Sequence, residues 1–588
     1  MLMKTKAKTK AILFLILAAS LAMQLFWASQ KQGYHVDEMY MYGTANSEYL
    51  PFMHLGYQEY SVKDWMRDYG AGDNIAQLFR NLAKDFRILK ENSWDIKGSV
   101  IYSDYLRAQA CSNDMYSTGW MTGQDYTYYL SPAPENRFNF ISVLYNFRGD
   151  NHPPLYALLL HFVCSFFPGV FSKWTGLLLN ALIVSLCICL LYRMVKDYLG
   201  GERPALMTAA AYGLSTAAAV TSTYIRMYSL LTLMVVGMAY VHLRLHAKDW
   251  QWKKSDRRIL VFFTLCGYLS QYYFVIYAAG IAMAAVILQI KQKKYKSLLR
   301  YLLTMGISGI VGILLWPFSL KAVFSGSRGQ ESISGFFSLS GLASRFEIML
   351  DVLSRSTLGC NAIIFLALML LLAVGFLFAC RPKKDAAGGK ALEKALLLVL
   401  PFLLYFIAVT KMIPYLVDRY IMCILPWPFV LLICGAAPVL RSLPLKDKAF
   451  RITAALLFLL LLVCSDSFLH GNGYTYRGGQ ECFAVEEGTD CVYIEPSNWW
   501  NVSAEDTLIL SRCRNVAVTR EDTLPELLGT YEAESGSRLL LVLREGVDTE
   551  ACLSLVTESL AMDTQKTILT AESREDLTDR TIVYFSVR

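Results

Sequence analysis

The sequence is poor in charged residues. Asp, Glu, Lys and Arg make up 18% of its 588 residues, whereas 55% are hydrophobic. Soluble domains carry about 25% charged residues, so the chain is too apolar to be a series of such domains. The apolar runs contain no charged residue at their centres. This argues against an ion-coupled transporter, because such proteins place ionisable groups near the middle of the membrane.

Other functional patterns are also missing. The 14 cysteines include no CxxC pair and no zinc-ligand spacing. No glycine-rich phosphate loop is present, and no cytoplasmic loop is long enough for a nucleotide-binding domain, so we expect no nucleotide cofactor. The net charge of +8 comes from short Lys and Arg clusters between apolar runs. Such clusters set membrane topology, and nucleic acid is not an expected partner.

The bilayer is therefore the main solvent of this chain. Apolar runs long enough to span it lie at about 11–28, 172–192, 204–223, 228–246, 258–270, 273–290, 298–318, 359–380, 395–410, 420–440 and 452–468. Eleven spans place every basic cluster on one side, which the positive-inside rule makes cytoplasmic. We expect a multi-pass plasma-membrane protein with a cytoplasmic N-terminus, the first run being a retained signal-anchor.

This topology places three segments outside the cell: loops at about 29–151 and 319–358, and the tail at 470–588. His152–Phe167 is also apolar, but counting it as a span would reverse the basic clusters, so it is interpreted as a re-entrant or interfacial helix. The tail combines predicted strands with helix-like segments and is expected to form a small extracytoplasmic α/β domain after a membrane domain at 1–469. The predicted strands are Thr507–Leu510, Leu539–Leu543 and Thr581–Val587, and the predicted helix is Asp548–Leu560.

Polar groups gather at the predicted outer ends of the spans. His35, Asp37 and Glu38 follow the first span, and adjacent carboxylates beside a histidine can deprotonate an acceptor hydroxyl or hold a divalent metal ion. The alternative is an ordinary solvated loop. Asp150 and His152 precede a Pro pair that starts a helix, and we expect both side chains to be exposed at the N-terminal end of that helix.

Two arginines lie at other outer turns. Arg226 is followed by Tyr228, and Arg419 stands between Asp418 and Tyr420. An interfacial arginine can simply extend towards lipid headgroups. A guanidinium is also the side chain best suited to bind phosphate, so the pair would suit an anionic lipid headgroup.

Taken in order, these elements resemble the membrane glycosyltransferases of the GT-C fold, in particular the family 39/83 type related to protein O-mannosyltransferases and aminoarabinose transferases. The resemblance rests on five elements that cover roughly residues 1–470. They are His35-Val36-Asp37-Glu38, Asp150-Asn151-His152-Pro153-Pro154-Leu155-Tyr156, Arg226-Met227-Tyr228, Gln271-Tyr272-Tyr273 at a hairpin tip, and Asp418-Arg419-Tyr420.

The resemblance implies transfer of a sugar from a polyprenyl-phosphate donor to an envelope glycan, lipid or protein acceptor outside the membrane. Asp37 would activate the acceptor, and Glu38 would assist or bind a divalent ion. His35, Asp150 and His152 would border the acceptor or metal side, and Arg226 and Arg419 would hold the donor phosphate. The remaining motif residues, Tyr228, Gln271, Tyr272, Asp418 and Tyr420, would line the cavity.

Gln271 stands where many relatives carry histidine, which puts a metal site at the hairpin tip in doubt. Two other functions stay open on the sequence alone: a flippase or exporter of a lipid-linked glycan, and a non-catalytic envelope-assembly protein that acts through its tail.

Overall fold

The computed structural model describes residues 2–48, 80, 83–84, 87, 90–91, 120–148, 150–324, 327–338, 340–380, 386–443, 446–476, 485–486, 488–496, 502–531, 538–562, 569–576 and 580–587. The chain folds into two units. The first comprises Met1–Lys31, Asp150–Tyr156 and Trp174–Thr475, and the second comprises Gln32–Gly149, Ala157–Lys173 and Tyr476–Arg588.

Long apolar helices make up most of the first unit. Within the described residues, nine are long and apolar enough to cross a membrane: Ala7–Gln30, Lys173–Leu199, Tyr228–Ala247, Phe274–Lys291, Tyr295–Leu315, Ala362–Ala379, Gly388–Met412, Asp418–Ser442 and Lys448–Ser465. Each coincides with a predicted span. The prediction of a multi-pass α-helical membrane protein is therefore confirmed.

The other two predicted spans are present as shorter helices. Residues 204–223 form two helices, Glu202–Gly213 and Thr216–Thr223, because the Ser215 hydroxyl accepts the Ala218 N–H and starts a new helix. Residues 258–270 belong to the 17-residue helix Lys254–Ser270. The segment that was excluded from the spans contains the ten-residue helix Leu155–Cys164, which is too short to cross a bilayer.

Shorter helices complete the first unit. They are Phe318–Phe324, Ser327–Phe337, Leu342–Leu358 and Ser467–His470, with a single 3-10 turn at Gly473–Thr475. The spanning helix Asp418–Ser442 itself begins with the 3-10 segment Asp418–Ile424. A buried ion network lies at one end of the bundle. Asp256 is fully buried and accepts hydrogen bonds from Arg244 at 2.7 Å and from Lys248 at 2.8 Å. The two cations compensate the cost of burying this carboxylate.

The second unit contains a six-stranded sheet with the order β1-β3-β2-β4-β6-β5. Its strands are β1 Met121–Thr122, β2 Thr489–Glu495, β3 Asn515–Arg520, β4 Arg538–Arg544, β5 Leu569–Asp576 and β6 Arg580–Val587. Strands β2, β3 and β4 are parallel, and the other pairs are antiparallel. Strand β1 comes from the first long loop, so this loop and the tail share one sheet.

The second unit also contains helices. They are Val36–Asn46, Phe140–Phe147, Thr507–Leu510, Leu524–Leu528 and Thr549–Met562, with 3-10 turns at Asp125–Thr127, Pro134–Asn136 and Val502–Asp506. Val492, Leu541 and Val583 of the strands pack with Val556 of a helix in the core.

The small α/β domain is confirmed, but the predicted strand Thr507–Leu510 is wrong. Its alternation covers only four residues, which is too short to distinguish a strand from a helical turn.

Close packing in the first unit leads to a test. A Cβ atom at Gly280, in the helix Phe274–Lys291, would lie 2.8 Å from the Cα atom of Pro401 in the neighbouring helix. Because backbone cannot move aside easily, Gly280→Ala should destabilise the protein by about 1–3 kcal/mol. Thermal unfolding in a single detergent measures the effect.

The matched control is Gly306→Ala. A Cβ atom there meets nothing within 4 Å, so this variant should melt at or slightly above the wild-type temperature. Equal melting temperatures for the two variants would contradict the proposed close contact of the helices.

Candidate functional site

The helix Val36–Asn46 carries the two adjacent carboxylates on its first turn. His35 is the residue that caps it: the Asp37 N–H donates to His35 Nδ1 at 3.1 Å, and Glu38 Oε2 accepts the His35 N–H at 2.9 Å. This reciprocal arrangement is a capping box. The motif was predicted as a loop, whereas the structure makes it a helix start with fixed side-chain directions.

The two carboxylates have different surroundings. Glu38 is fully buried, and one of its oxygens accepts the backbone N–H of the cap. The side chain of Asp37 keeps 27% of its surface exposed and lies 3.7 Å from His35 Nδ1. Asp37 is therefore the carboxylate that a substrate can reach, while Glu38 stabilises the helix start.

A residue that the sequence did not reveal also contacts this helix. The Val36 N–H donates to Glu505 Oε1 at 3.3 Å, and Arg544 Nη2 lies 3.5 Å from Glu505 Oε2. Burial raises the pKa of Glu505 above its ordinary value, although Arg544 acts in the opposite direction. No local pattern indicates this contact, because Glu505 lies 469 positions from Val36.

In the first unit, the turn that carries Arg226 is held by a buried amide. Asn180 Nδ2 donates to the Tyr224 carbonyl at 2.7 Å, and that carbonyl also accepts the Arg226 N–H at 2.8 Å. Asn180 Oδ1 accepts the hydroxyls of Tyr156 at 2.8 Å and Ser229 at 2.7 Å. Sequence reasoning missed Asn180, although an amide inside an apolar run was a readable signal.

Asp150 and His152 form a tight pair beside this turn. Asp150 Oδ1 accepts the His152 N–H at 2.7 Å and lies 2.7 Å from His152 Nδ1. Burial disfavours the charged form, but His152 and Arg226 outweigh it and lower the pKa of Asp150 below its ordinary value. Both side chains are about one quarter exposed, which is less than predicted. Asp150 thus provides an ionised carboxylate close to Arg226.

Arg419 belongs to a group of tyrosines. Its Nη1 donates to the Tyr224 hydroxyl at 3.2 Å, and its guanidinium lies 5.5 Å from the centre of the Tyr420 ring. The Tyr224 ring stacks on Tyr228 at 5.8 Å and on Tyr474 at 4.4 Å. We call Tyr224, Arg226, Tyr228, Arg419 and Tyr474 the tyrosine–arginine cluster.

Tyr474 extends the cluster to two further charged groups. Its hydroxyl donates to Asp418 Oδ1 at 2.5 Å, and its carbonyl accepts Lys31 Nζ at 2.7 Å. Burial and the nearby Asp418 carboxylate raise the pKa of the Tyr474 hydroxyl, which therefore stays protonated as a donor. Tyr474 and Lys31 were not among the predicted site residues.

The hairpin tip lies beside the same groups. Gln271 is buried, and its Oε1 accepts the Tyr272 N–H at 2.7 Å. Burial raises the pKa of the Tyr272 hydroxyl, and electrostatic interactions with Tyr268 and Asp150 raise it further. The Tyr273 ring lies edge-on to Tyr420 at 5.9 Å. The structure thus brings the predicted residues of the first unit together around Tyr224 and Asp150.

The predicted metal ion has no complete ligand set within the described residues. No three side chains of His, Cys, Asp or Glu there are close enough to hold a metal ion. One oxygen of Glu38 is already used in the capping box. A divalent ion at Glu38 stays a prediction, and no chemical step is assigned to one below.

Residues 151–316 match the family described as dolichyl-phosphate-mannose-protein mannosyltransferase. The chain is also similar to the crystal structure of ArnT from Cupriavidus metallidurans bound to undecaprenyl phosphate, with 11% identity, a TM-score of 0.42, and 74% of this chain and 88% of that chain covered. The apo structure of the same protein has 12% identity and a TM-score of 0.43, with 79% of this chain and 93% of that chain covered.

A third similar structure is the oligosaccharyltransferase AglB from Archaeoglobus fulgidus in complex with an inhibitory peptide and a dolichol-phosphate. It has 11% identity and a TM-score of 0.39, with 71% of this chain and 65% of that chain covered. No curated protein matches. The family match confirms the resemblance to membrane glycosyltransferases over residues 151–316.

The role of Asn180 can be tested with Asn180→Leu. This change keeps the volume but removes the partner shared by the Tyr224 carbonyl and two hydroxyls, and it should destabilise the protein by about 2 kcal/mol. Thr357→Val is the control, since Thr357 Oγ1 donates to the Leu353 carbonyl within its own helix. Both variants are compared with the wild type by thermal unfolding. Equal losses of stability in Asn180→Leu and Thr357→Val would refute a special role of Asn180.

Proposed function

We propose that this protein transfers a sugar from a polyprenyl-phosphate donor to an acceptor on the extracytoplasmic face of the membrane. The observation that carries the proposal is the match of residues 151–316 to a family of lipid-phosphate mannosyltransferases, a segment that contains His152 and Arg226. The basic N-terminal cluster supports a cytoplasmic N-terminus and an external C-terminal domain. The acceptor is an envelope glycan, lipid or protein.

The donor phosphate binds at the tyrosine–arginine cluster. Arg226 is 5% exposed, and the guanidinium of Arg419 is held by the Tyr224 hydroxyl and the Tyr420 ring. As the sugar leaves, negative charge develops on the phosphate oxygen. Guanidinium groups that are already oriented stabilise this charge without reorganising, which lowers the barrier.

The acceptor is activated by Asp37. Its carboxylate takes the proton of the acceptor hydroxyl, the hydroxyl oxygen bonds to the anomeric carbon, and the bond from that carbon to the phosphate oxygen breaks with its electron pair remaining on the phosphate. Asp37 suits this role because part of its carboxylate surface is exposed, whereas Glu38 is buried in the cap. Asp150 orients His152 through their double contact.

The first test concerns Asp37. Asp37→Asn keeps the shape of the side chain but removes the proton acceptor, so transfer of a radiolabelled sugar from a polyprenyl-phosphate donor in membranes should fall at least about 100-fold. Asp125→Asn makes the same chemical change at an exposed residue of a 3-10 turn in the same unit and should keep full activity. Full transfer by Asp37→Asn would remove Asp37 from the mechanism.

The second test concerns the donor side. Arg419→Lys keeps the charge but loses the planar fork of donors, so kcat/KM for the lipid donor should fall about 100-fold. Arg355→Lys is the control, because Arg355 is 71% exposed and pairs with Asp351 on its own helix. The donor assignment fails if kcat/KM for the donor is unchanged in Arg419→Lys.

A further inference from the structure

The helix that carries Asp37 begins with backbone N–H groups that need acceptors, as every helix does. His35 supplies two of these acceptors. Its Nδ1 accepts the Asp37 N–H at 3.1 Å, and its carbonyl accepts the Glu38 N–H at 2.8 Å. The Val36 N–H instead donates to Glu505 Oε1 at 3.3 Å. One of the first N–H groups of this helix is thus held by the far end of the chain.

Glu505 is well suited to this position. A carboxylate at a helix N-terminus is stabilised by the helix dipole. Its second oxygen lies 3.5 Å from Arg544 Nη2 on strand β4, and both side chains are largely buried, with 18% and 8% of their surface exposed. One oxygen therefore faces the helix and the other faces the sheet.

The short helix that carries Glu505 is itself fixed. Asp506 accepts the Tyr493 hydroxyl from β2 at 2.8 Å and pairs with Arg580 of β6. The Ser503 N–H donates to Glu495 Oε1 at 2.6 Å. Residues before and after Glu505 in the sequence are thus bound to strands β2 and β6. These contacts leave the Glu505 backbone little freedom, so Glu505 can act as a rigid support.

We propose that Glu505 is a positioning residue for Asp37, acting through the Val36 N–H. The proposal rests on the function proposed above. Val36 directly precedes Asp37, so a shift of the first helical turn moves the Asp37 carboxylate with it. A misplacement of about 1 Å is enough to slow a reaction about 100-fold. The C-terminal domain would thus take part in transfer by fixing the direction of the base.

The experiment compares Glu505→Ala with Asp490→Ala in the full-length protein. Asp490 is also a buried carboxylate of this sheet, and it has an arginine partner, Arg514, at 2.6 Å. It also accepts the Tyr531 hydroxyl at 3.2 Å. It therefore controls for general damage to the domain. Hydrogen exchange is followed in the peptide covering residues 35–46, and kcat and the donor KM are measured for transfer.

In Glu505→Ala, exchange at the start of this helix should become about fivefold faster, because one capping interaction is lost. The value of kcat should fall about 10- to 100-fold with the donor KM within about twofold of wild type. Glu505→Gln keeps an oxygen acceptor for the Val36 N–H and should recover part of kcat. Asp490→Ala should leave exchange in this peptide at the wild-type rate.

Unchanged exchange in Glu505→Ala, or equal losses of kcat in Glu505→Ala and Asp490→Ala, would overturn the positioning role. A wild-type protein that transfers no sugar overturns the proposed function instead. The exchange comparison distinguishes the two failures, because it needs no activity.

Discussion

Polar groups inside a membrane protein must find partners without water, and Asn180 meets this demand for the first unit. An amide can donate and accept at once, and Asn180 does both. It donates to the Tyr224 carbonyl and accepts the hydroxyls of Tyr156 and Ser229. Three separate segments are therefore joined at one buried side chain. The cost of leaving any of these groups unpaired in apolar surroundings makes the arrangement specific.

Tyr224 extends this constraint to the charged groups. Its carbonyl accepts a hydrogen bond from Asn180, its hydroxyl accepts one from Arg419, and its ring stacks on those of Tyr228 and Tyr474. Arg226 follows two residues later in the same turn. The guanidinium of Arg419, held by the Tyr224 hydroxyl and the Tyr420 ring, has a fixed direction, and a fixed cation is what electrostatic stabilisation of a leaving phosphate requires.

The spans could be predicted because the bilayer imposes one simple rule, a run of about 20 apolar residues. The candidate site was found less completely. Motif residues such as Arg226 and Arg419 stand out because charge is rare near the spans. Asn180, Tyr474 and Glu505 were missed because their roles depend on partners between 24 and 469 positions away. The break at Ser215 was also missed, because a serine that starts a new helix looks like any other serine in an apolar run.

The motif His35-Val36-Asp37-Glu38 shows how helix geometry separates two similar carboxylates. The third residue after the cap must turn back towards the chain to accept the cap's N–H, and Glu38 occupies that position. The residue before it cannot make this bond, so its carboxylate is directed elsewhere and keeps surface exposed. The order of Asp and Glu is then not interchangeable. The longer side chain reaches the cap, and the shorter one remains accessible, which is why the base in the proposed reaction is Asp37 and not Glu38.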